Sequence, residues 1–274
     1  MNCTQPNKSP RTLALMLVGA TVMFVVVITA IFACVFSDQN NNTPTVAAQE
    51  TPAVLPEALP QETEENSVEI LAETPEADDD YFSETLFIGN SITGGFKAFS
   101  GLNTPTYYEG RGMTVESIYR MKVVNADNSP NDDRTGDKTI LEALRDKQYN
   151  QIYLLMGTNE LGWVYPEKFI EQYAQLIDDI QALQPNAKLC VQSVLPVSES
   201  RSQTDDIYNN EKIENLNRMI TDLAAQKKIP YLNAAEAFQN ENGALPEDET
   251  PDGIHLGAQA CKRWRMYIKT HIIP

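Results

Sequence analysis

The sequence predicts an α/β domain in which a parallel sheet is covered on both faces by helices, set behind a membrane-spanning segment and an acidic stalk. Three observations predict this. From Tyr81 onward, short apolar runs alternate with segments whose apolar residues recur at helical spacing. Those runs are apolar at nearly every position, the pattern of strands buried on both faces rather than on one. Ahead of Tyr81 the composition changes twice, first to an uncharged apolar run and then to an acidic segment almost free of aromatics.

Residues 1–12 form a short segment carrying Lys8 and Arg11. Leu13 to Phe36, "LALMLVGATVMFVVVITAIFACVF", is uncharged throughout. At ~1.5 Å per helical residue it is long enough to cross a hydrocarbon core of ~30 Å. No Lys or Arg follows until Lys97, so the positive-inside rule places the N-terminus in the cytoplasm and the rest outside. The run is longer than the apolar core of a cleaved signal peptide, about 7–15 residues. Ile31-Phe32-Ala33-Cys34 offers a lipoprotein cleavage site as the alternative, against which stands bulky Phe32. The expected state is an uncleaved single-pass anchor.

Residues 37–80 hold 12 acidic and no basic residues and are rich in Pro, Thr and Glu. Such a segment buries too little apolar surface to offset its ordering entropy, and an extended, disordered stalk is expected. The chain as a whole has 21 Lys+Arg against 38 Asp+Glu, a formal charge of −17, which argues against nucleic acid and anionic membrane surfaces as partners.

The expected elements of residues 81–274 follow in order. Thr85–Gly89 reads as a strand, Pro105–Gly110 as a second, Met113–Val123 as a helix and Lys138–Gln148 as another. "QIYLLMG", Gln151–Gly157, is a buried strand. A long helix starts at Pro166, carries Phe169, Ile170, Tyr173, Leu176, Ile177 and Ile180 on one face, and stops before Pro185. "AKLCVQSVLP" is a strand, and Ile213, Leu216, Ile220 and Leu223 mark a helix. "IPYLN" is a short strand, and the last helix carries Cys261, Trp264, Ile268 and Ile272 on one stripe. Cys190 and Cys261 are either two buried thiols or a pair. No Cys/His spacing suggests a metal, and no internal repeat is present.

In open parallel sheets the chemistry gathers at the carboxyl ends of strands. Three polar stretches follow or adjoin such ends: Gly89-Asn90-Ser91, Gly157-Thr158-Asn159-Glu160, and "TPDGIHL" before the last helix. Each alone reads as a cap or a turn. Together they supply what nucleophilic acyl transfer needs. A serine hydroxyl is a poor nucleophile until a neutral imidazole takes its proton, and the imidazole must be held by an acceptor. Asp252 and His255 can meet within one loop. The only other histidine, His271, lies on the terminal helix. Donors for an oxyanion are offered by the N–H of Ser91, a glycine N–H in "YEGRGMT", and the Asn159 amide. A phosphate loop is excluded, because Gly95 and Phe96 stand where its lysine and hydroxyl belong. The G-x-S-x-G elbow is excluded by Thr93.

"FIGNSIT", "RGMT", "GTNE" and "PDGIHL", in that order, resemble the SGNH/GDSL hydrolase superfamily over essentially 81–274. The resemblance implies a three-layer α/β/α sandwich on a flavodoxin-like five-stranded parallel sheet, with no cofactor. It implies Ser91 as nucleophile, His255 as base and Asp252 as the acid that orients it. It places Ser91, Gly112 and Asn159 around the oxyanion, with Gly110 competing for the place of Gly112. Asn90 and Glu160 stand where aspartate is usual, and altered local hydrogen bonding is expected there. The activity implied is that of a membrane-anchored extracellular serine esterase on carboxylic esters, with short O-acyl groups on carbohydrate as the expected substrate. An acyltransferase with the same triad and a non-catalytic binding module are the alternatives. Product analysis with an acceptor glycan separates the first, and loss of the serine or histidine would have marked the second.

Overall fold

In the computed structural model, residues 67–274 are described except 133 and 134. The anchor expected at 13–36, the segment before it and the stalk up to 66 lie outside the described residues. Among the described residues no helix is long and apolar enough to cross a membrane.

Five strands form one parallel sheet: β1 (Thr85–Gly89), β2 (Thr106–Glu109), β5 (Gln151–Leu155), β6 (Lys188–Gln192) and β7 (Tyr231–Leu232). Their order is β2-β1-β5-β6-β7, the flavodoxin-like arrangement once the small hairpin is set aside. The sheet therefore switches direction between β1 and β5, and a crevice opens there at the carboxyl ends. Register explains the two cores. Leu86, Ile88, Ile152 and Leu154 face one side with α2 (Ile140–Asp146), α3 (Pro166–Leu183) and α5 (Asn210–Lys227). Phe87, Tyr107, Tyr153 and Cys190 face the other with α1 (Ser91–Phe99) and α6 (Ala258–Thr270). On that second face Phe87 stacks on Tyr153 at 4.9 Å and on Tyr107 at 5.3 Å, tying three strands together through aromatic pairs. Both Cys190 and Cys261 are free buried thiols.

The structure corrects three sequence expectations. Met113–Val123 is not a helix. A single 3-10 turn at Ser117–Tyr119 is followed by β3 (Lys122–Val124), which pairs antiparallel with β4 (Lys138–Thr139). Thr114 and Ser117 accept each other's backbone N–H at 2.8 and 3.0 Å, offering the backbone a local alternative to the helix. The helix expected from Lys138 starts only at Ile140. Thr139 and Glu142 cap it reciprocally, at 3.2 and 2.7 Å. A short helix, α4 (Glu199–Thr204), was not expected at all.

The third correction concerns the stalk, which was expected to run disordered to residue 80. Residues 69–80 instead form a strap against the domain. The Leu71 N–H donates to the Tyr231 carbonyl at 2.9 Å and the Tyr231 N–H to the Glu69 carbonyl at 2.8 Å, so the strap pairs parallel with β7. Leu71 is buried, and the Ala77 N–H donates to the Lys269 carbonyl at 2.9 Å. Lys269 on α6 bridges Glu76 at 2.8 Å and Asp79 at 3.1 Å, and Arg265 also pairs with Asp79. The hydrogen bond from Arg265 outweighs burial and holds the Asp79 carboxyl below its ordinary range. Glu76 and Asp79 of the expected stalk are thus halves of ion pairs whose other halves lie on the last helix.

Candidate active site

β1 ends at Gly89, where the chain must turn sharply. A Cβ at Gly89 would lie 2.2 Å from the Thr93 hydroxyl and 2.8 Å from the Leu155 carbonyl, so only glycine fits. Asn90 then caps α1, its Oδ1 accepting from the Ile92 N–H at 2.9 Å. Ser91 becomes the first residue of the helix. Its N–H belongs to the first turn, which has no intrahelical acceptor.

Across the crevice, the 249–257 loop is closed by the Gly257 N–H donating to the Glu249 carbonyl at 2.7 Å. Arg263 on α6 grips the Glu249 carboxylate with two nitrogens. Within the loop, Asp252 Oδ1 accepts from the N–H groups of His255 and Ile254 at 2.8 and 3.0 Å. That leaves Oδ2 facing the imidazole, 2.7 Å from His255 Nδ1. His255 Nε2 lies 3.0 Å from Ser91 Oγ. Gly253 permits this tight path. Its φ is +83°, and a Cβ there would strike Arg201 Cβ at 2.8 Å. Burial raises the Asp252 carboxyl, but the hydrogen bonds from the His255 backbone and ring and from Ile254 outweigh it and hold it below the ordinary value. An ionised Asp252 thus faces Nδ1 and fixes the proton there, leaving Nε2 as the acceptor toward Ser91.

The structure brings Gly112 and Asn159 to the same crevice, where both line a groove of about 940 Å³ with Ser91, Asp252 and His255. Gly112 has φ +73° and open space where a Cβ would be. Gly110 packs against the methyl ends of Met113 and Met121, and its N–H is spent on the Gly89 carbonyl at 3.1 Å. Of the two glycines, it is Gly112 that lines the groove with Ser91, while the Gly110 N–H is already engaged.

Comparison with known proteins decides the family. The sequence profile of the GDSL-like lipase/acylhydrolase family matches residues 87–263. The chain belongs to that family. No curated protein matches it in sequence. Among solved structures, a candidate platelet activating factor from Streptococcus pneumonia is 24% identical, with TM-score 0.53, covering 68% of this chain and 82% of that one. A GDSL-like lipase from Bacteroides thetaiotaomicron is 21% identical, with TM-score 0.52, covering 69% and 87%. Both share the fold of this GDSL-family hydrolase.

Sequence reasoning missed the part played by Glu160. Its carboxylate is almost fully buried and spans two loops, Oε1 accepting from the Val115 N–H at 2.8 Å and Oε2 from the Gly157 N–H at 3.1 Å. Beside it, Asn159 Nδ2 donates to the Met113 carbonyl at 2.7 Å. The loop after β2 that carries Gly112 and the loop after β5 that carries Asn159 are therefore fastened together by neighbouring residues. Only the departure from aspartate at position 160 hinted at this, since the longer side chain is what reaches Val115.

Burial pushes the Glu160 carboxyl up to about 7, against the pull of the Val115 and Gly157 hydrogen bonds. Its folded value lies above its unfolded one, so its stability contribution is largest at acid pH and is lost as pH rises toward 7. Accepting both N–H groups requires the ionised form, which dominates above about 7. Glu160→Gln keeps one acceptor and turns an N–H₂ toward the other N–H. One mispaired buried group costs ~1–3 kcal/mol, so kcat is expected to fall about tenfold or more. The pH–rate profile should lose the ionisation that Glu160 contributes near 7; an unchanged profile would separate Glu160 from turnover.

His271 takes no part in the constellation. It closes α6, stacked on Tyr267 at 3.9 Å with Nδ1 2.9 Å from the Tyr267 carbonyl. His271→Ala is expected to leave kcat/KM within about twofold, as surface substitutions away from such features do, and steady-state kinetics beside His255→Ala checks this.

Proposed function

We propose that the protein is a serine esterase that removes short O-acyl groups from carbohydrate, held at the outer face of a cell membrane by residues 13–36. The observation that carries the reading is the continuous relay from Ser91 Oγ through His255 to Asp252, at 3.0 and 2.7 Å. Ser91 Oγ bonds to the ester carbonyl carbon while its proton passes to His255 Nε2. The carbonyl oxygen becomes an oxyanion, met by the N–H groups of Ser91 and Gly112 and the Asn159 amide. The bond to the alcohol oxygen then breaks, and His255 returns the proton to that oxygen. Water attacks the acyl-enzyme with the same base, releasing the acid and Ser91.

A short acyl group suits the surroundings of Ser91, which are glycines and charged side chains rather than an apolar tunnel. Two sequence features support the location: the uncharged run at 13–36 and the asymmetry of flanking cations. The test is hydrolysis of p-nitrophenyl esters from acetyl to octanoyl by the full chain. Cleavage that declines with chain length supports the reading. No cleavage of any ester by a folded protein would refute it.

A further inference from the structure

The outward face of α1 is unusual for a surface helix. Ile92, Thr93 and Phe96 point into the core, so the opposite face runs Ser91, Gly94, Gly95, Ala98, Phe99. Such a face is ordinarily charged and built from good helix formers. Here it is bare, and every one of its residues lines the groove that begins at the triad. Gly94 has a reason inside the protein, because a Cβ there would lie 2.9 Å from a Glu109 carboxylate oxygen. Gly95 has none: a Cβ would meet nothing within 4 Å. A helix that weakens itself with a glycine no neighbour demands is keeping space open for something outside the chain. At the far end Phe99 is 53% exposed, eight residues from Ser91 and so about 12 Å along the helix axis.

The remaining groove walls carry Glu109 and Arg111, with Lys97 paired to Asp132. Burial raises the Glu109 carboxyl, opposed by Lys97 and Arg111. With Asp252 of the relay, three carboxylates face two cations, so the groove holds no excess of positive charge. An anionic ligand would call for an excess of cations, and a long acyl chain for an unbroken apolar wall. A neutral chain bearing many hydroxyls fits both, since each hydroxyl donates to a carboxylate and accepts from a cation. Flat, small floor residues and an exposed aromatic ring suit the apolar face of a sugar ring.

We propose that this groove binds an oligosaccharide, with the acylated sugar at Ser91, a neighbouring unit over Gly94 and Gly95, and a distal unit stacked on Phe99. The inference rests on the esterase reading and deepens it from any short ester to acylated positions within a glycan chain.

The test uses the full chain and two readouts. The first is the ratio of kcat/KM on mono-O-acetylated tetraoses of xylose, mannose and N-acetylglucosamine to that on the matching acetylated monosaccharides. At least one tetraose is expected to be preferred by on the order of tenfold or more, and Phe99→Ala should erase that preference. The second is calorimetric binding of the unacetylated tetraoses, which needs no catalysis, with Phe99→Ala and the groove-filling Gly95→Leu each lowering affinity at least tenfold. Ester cleavage without chain preference, and without tetraose binding, would overturn the groove while leaving the esterase. Tetraose binding lost in both variants, with no ester cleaved, would keep the groove and overturn the esterase. A preference for octanoyl over acetyl p-nitrophenyl esters that disappears in Phe99→Ala would assign the groove to an acyl chain and overturn the inference.

Discussion

With alanine at position 91, ester hydrolysis falls to the residual acceleration that binding and oxyanion contacts provide alone, about 10³–10⁴ over water. The reason is local. In the proposed mechanism His255 Nε2, 3.0 Å from Ser91 Oγ, loses the atom whose proton it takes, and among the described residues no other hydroxyl lines the groove. Fold and stability are untouched by the same change. Ser91 is half-buried at the first position of α1, its hydroxyl makes no cap, and the capping oxygen belongs to Asn90. The variant should therefore melt with the wild type and still bind substrate. Burst kinetics with p-nitrophenyl acetate provide the check: the wild type should show an acyl-enzyme burst and the variant none. Turnover surviving in Ser91→Ala would place the nucleophile elsewhere.

Asn159→Ala should lower kcat by about 10²–10³, the cost of one oxyanion donor. Asn159 Nδ2 carries two N–H bonds. One is committed to the Met113 carbonyl at 2.7 Å, which aims the amide, and in the proposed mechanism the other meets charge that develops only in the transition state. An interaction of that kind changes kcat and kcat/KM together and leaves ground-state binding nearly alone. A boronic acid that mimics the tetrahedral intermediate should accordingly lose affinity in step with kcat, while a substrate-like amide should not. If KM rose and kcat held, Asn159 would be a substrate contact instead.

Much of the sheet could be read from the chain because its strands are apolar at nearly every position and its helices carry regular stripes. Thr85–Gly89 and the helix from Pro166 to Leu183 are found where pattern and proline placed them. That Ser91, Asp252 and His255 meet at one edge was legible because few residue types suit the chemistry proposed for them and because chain topology brings loop ends together there. Other features depend on partners far away in sequence. Glu160 looked like a neighbour of Asn159 with one methylene too many, and its reach to Val115 needed the fold. The Thr114–Ser117 exchange, which stops a helix expected from Met113, needed side-chain geometry rather than periodicity. The strap was hidden for the same reason: Glu76 and Asp79 meet Lys269 and Arg265 only after the whole sheet is wound.

That strap bears on where the protein can be cut. Beyond it, β7 is the last strand of the sheet, and an uncovered edge presents N–H and C=O groups that template pairing with other chains. A fragment beginning at Tyr81 would remove the hydrogen bonds to Tyr231, bare that edge and strip Lys269 of both its carboxylates. A fragment beginning before Val68 would keep them. The first should precipitate or assemble edge to edge on a sizing column, and the second should run as a well-behaved species, although neither cut comes near the crevice that holds Ser91.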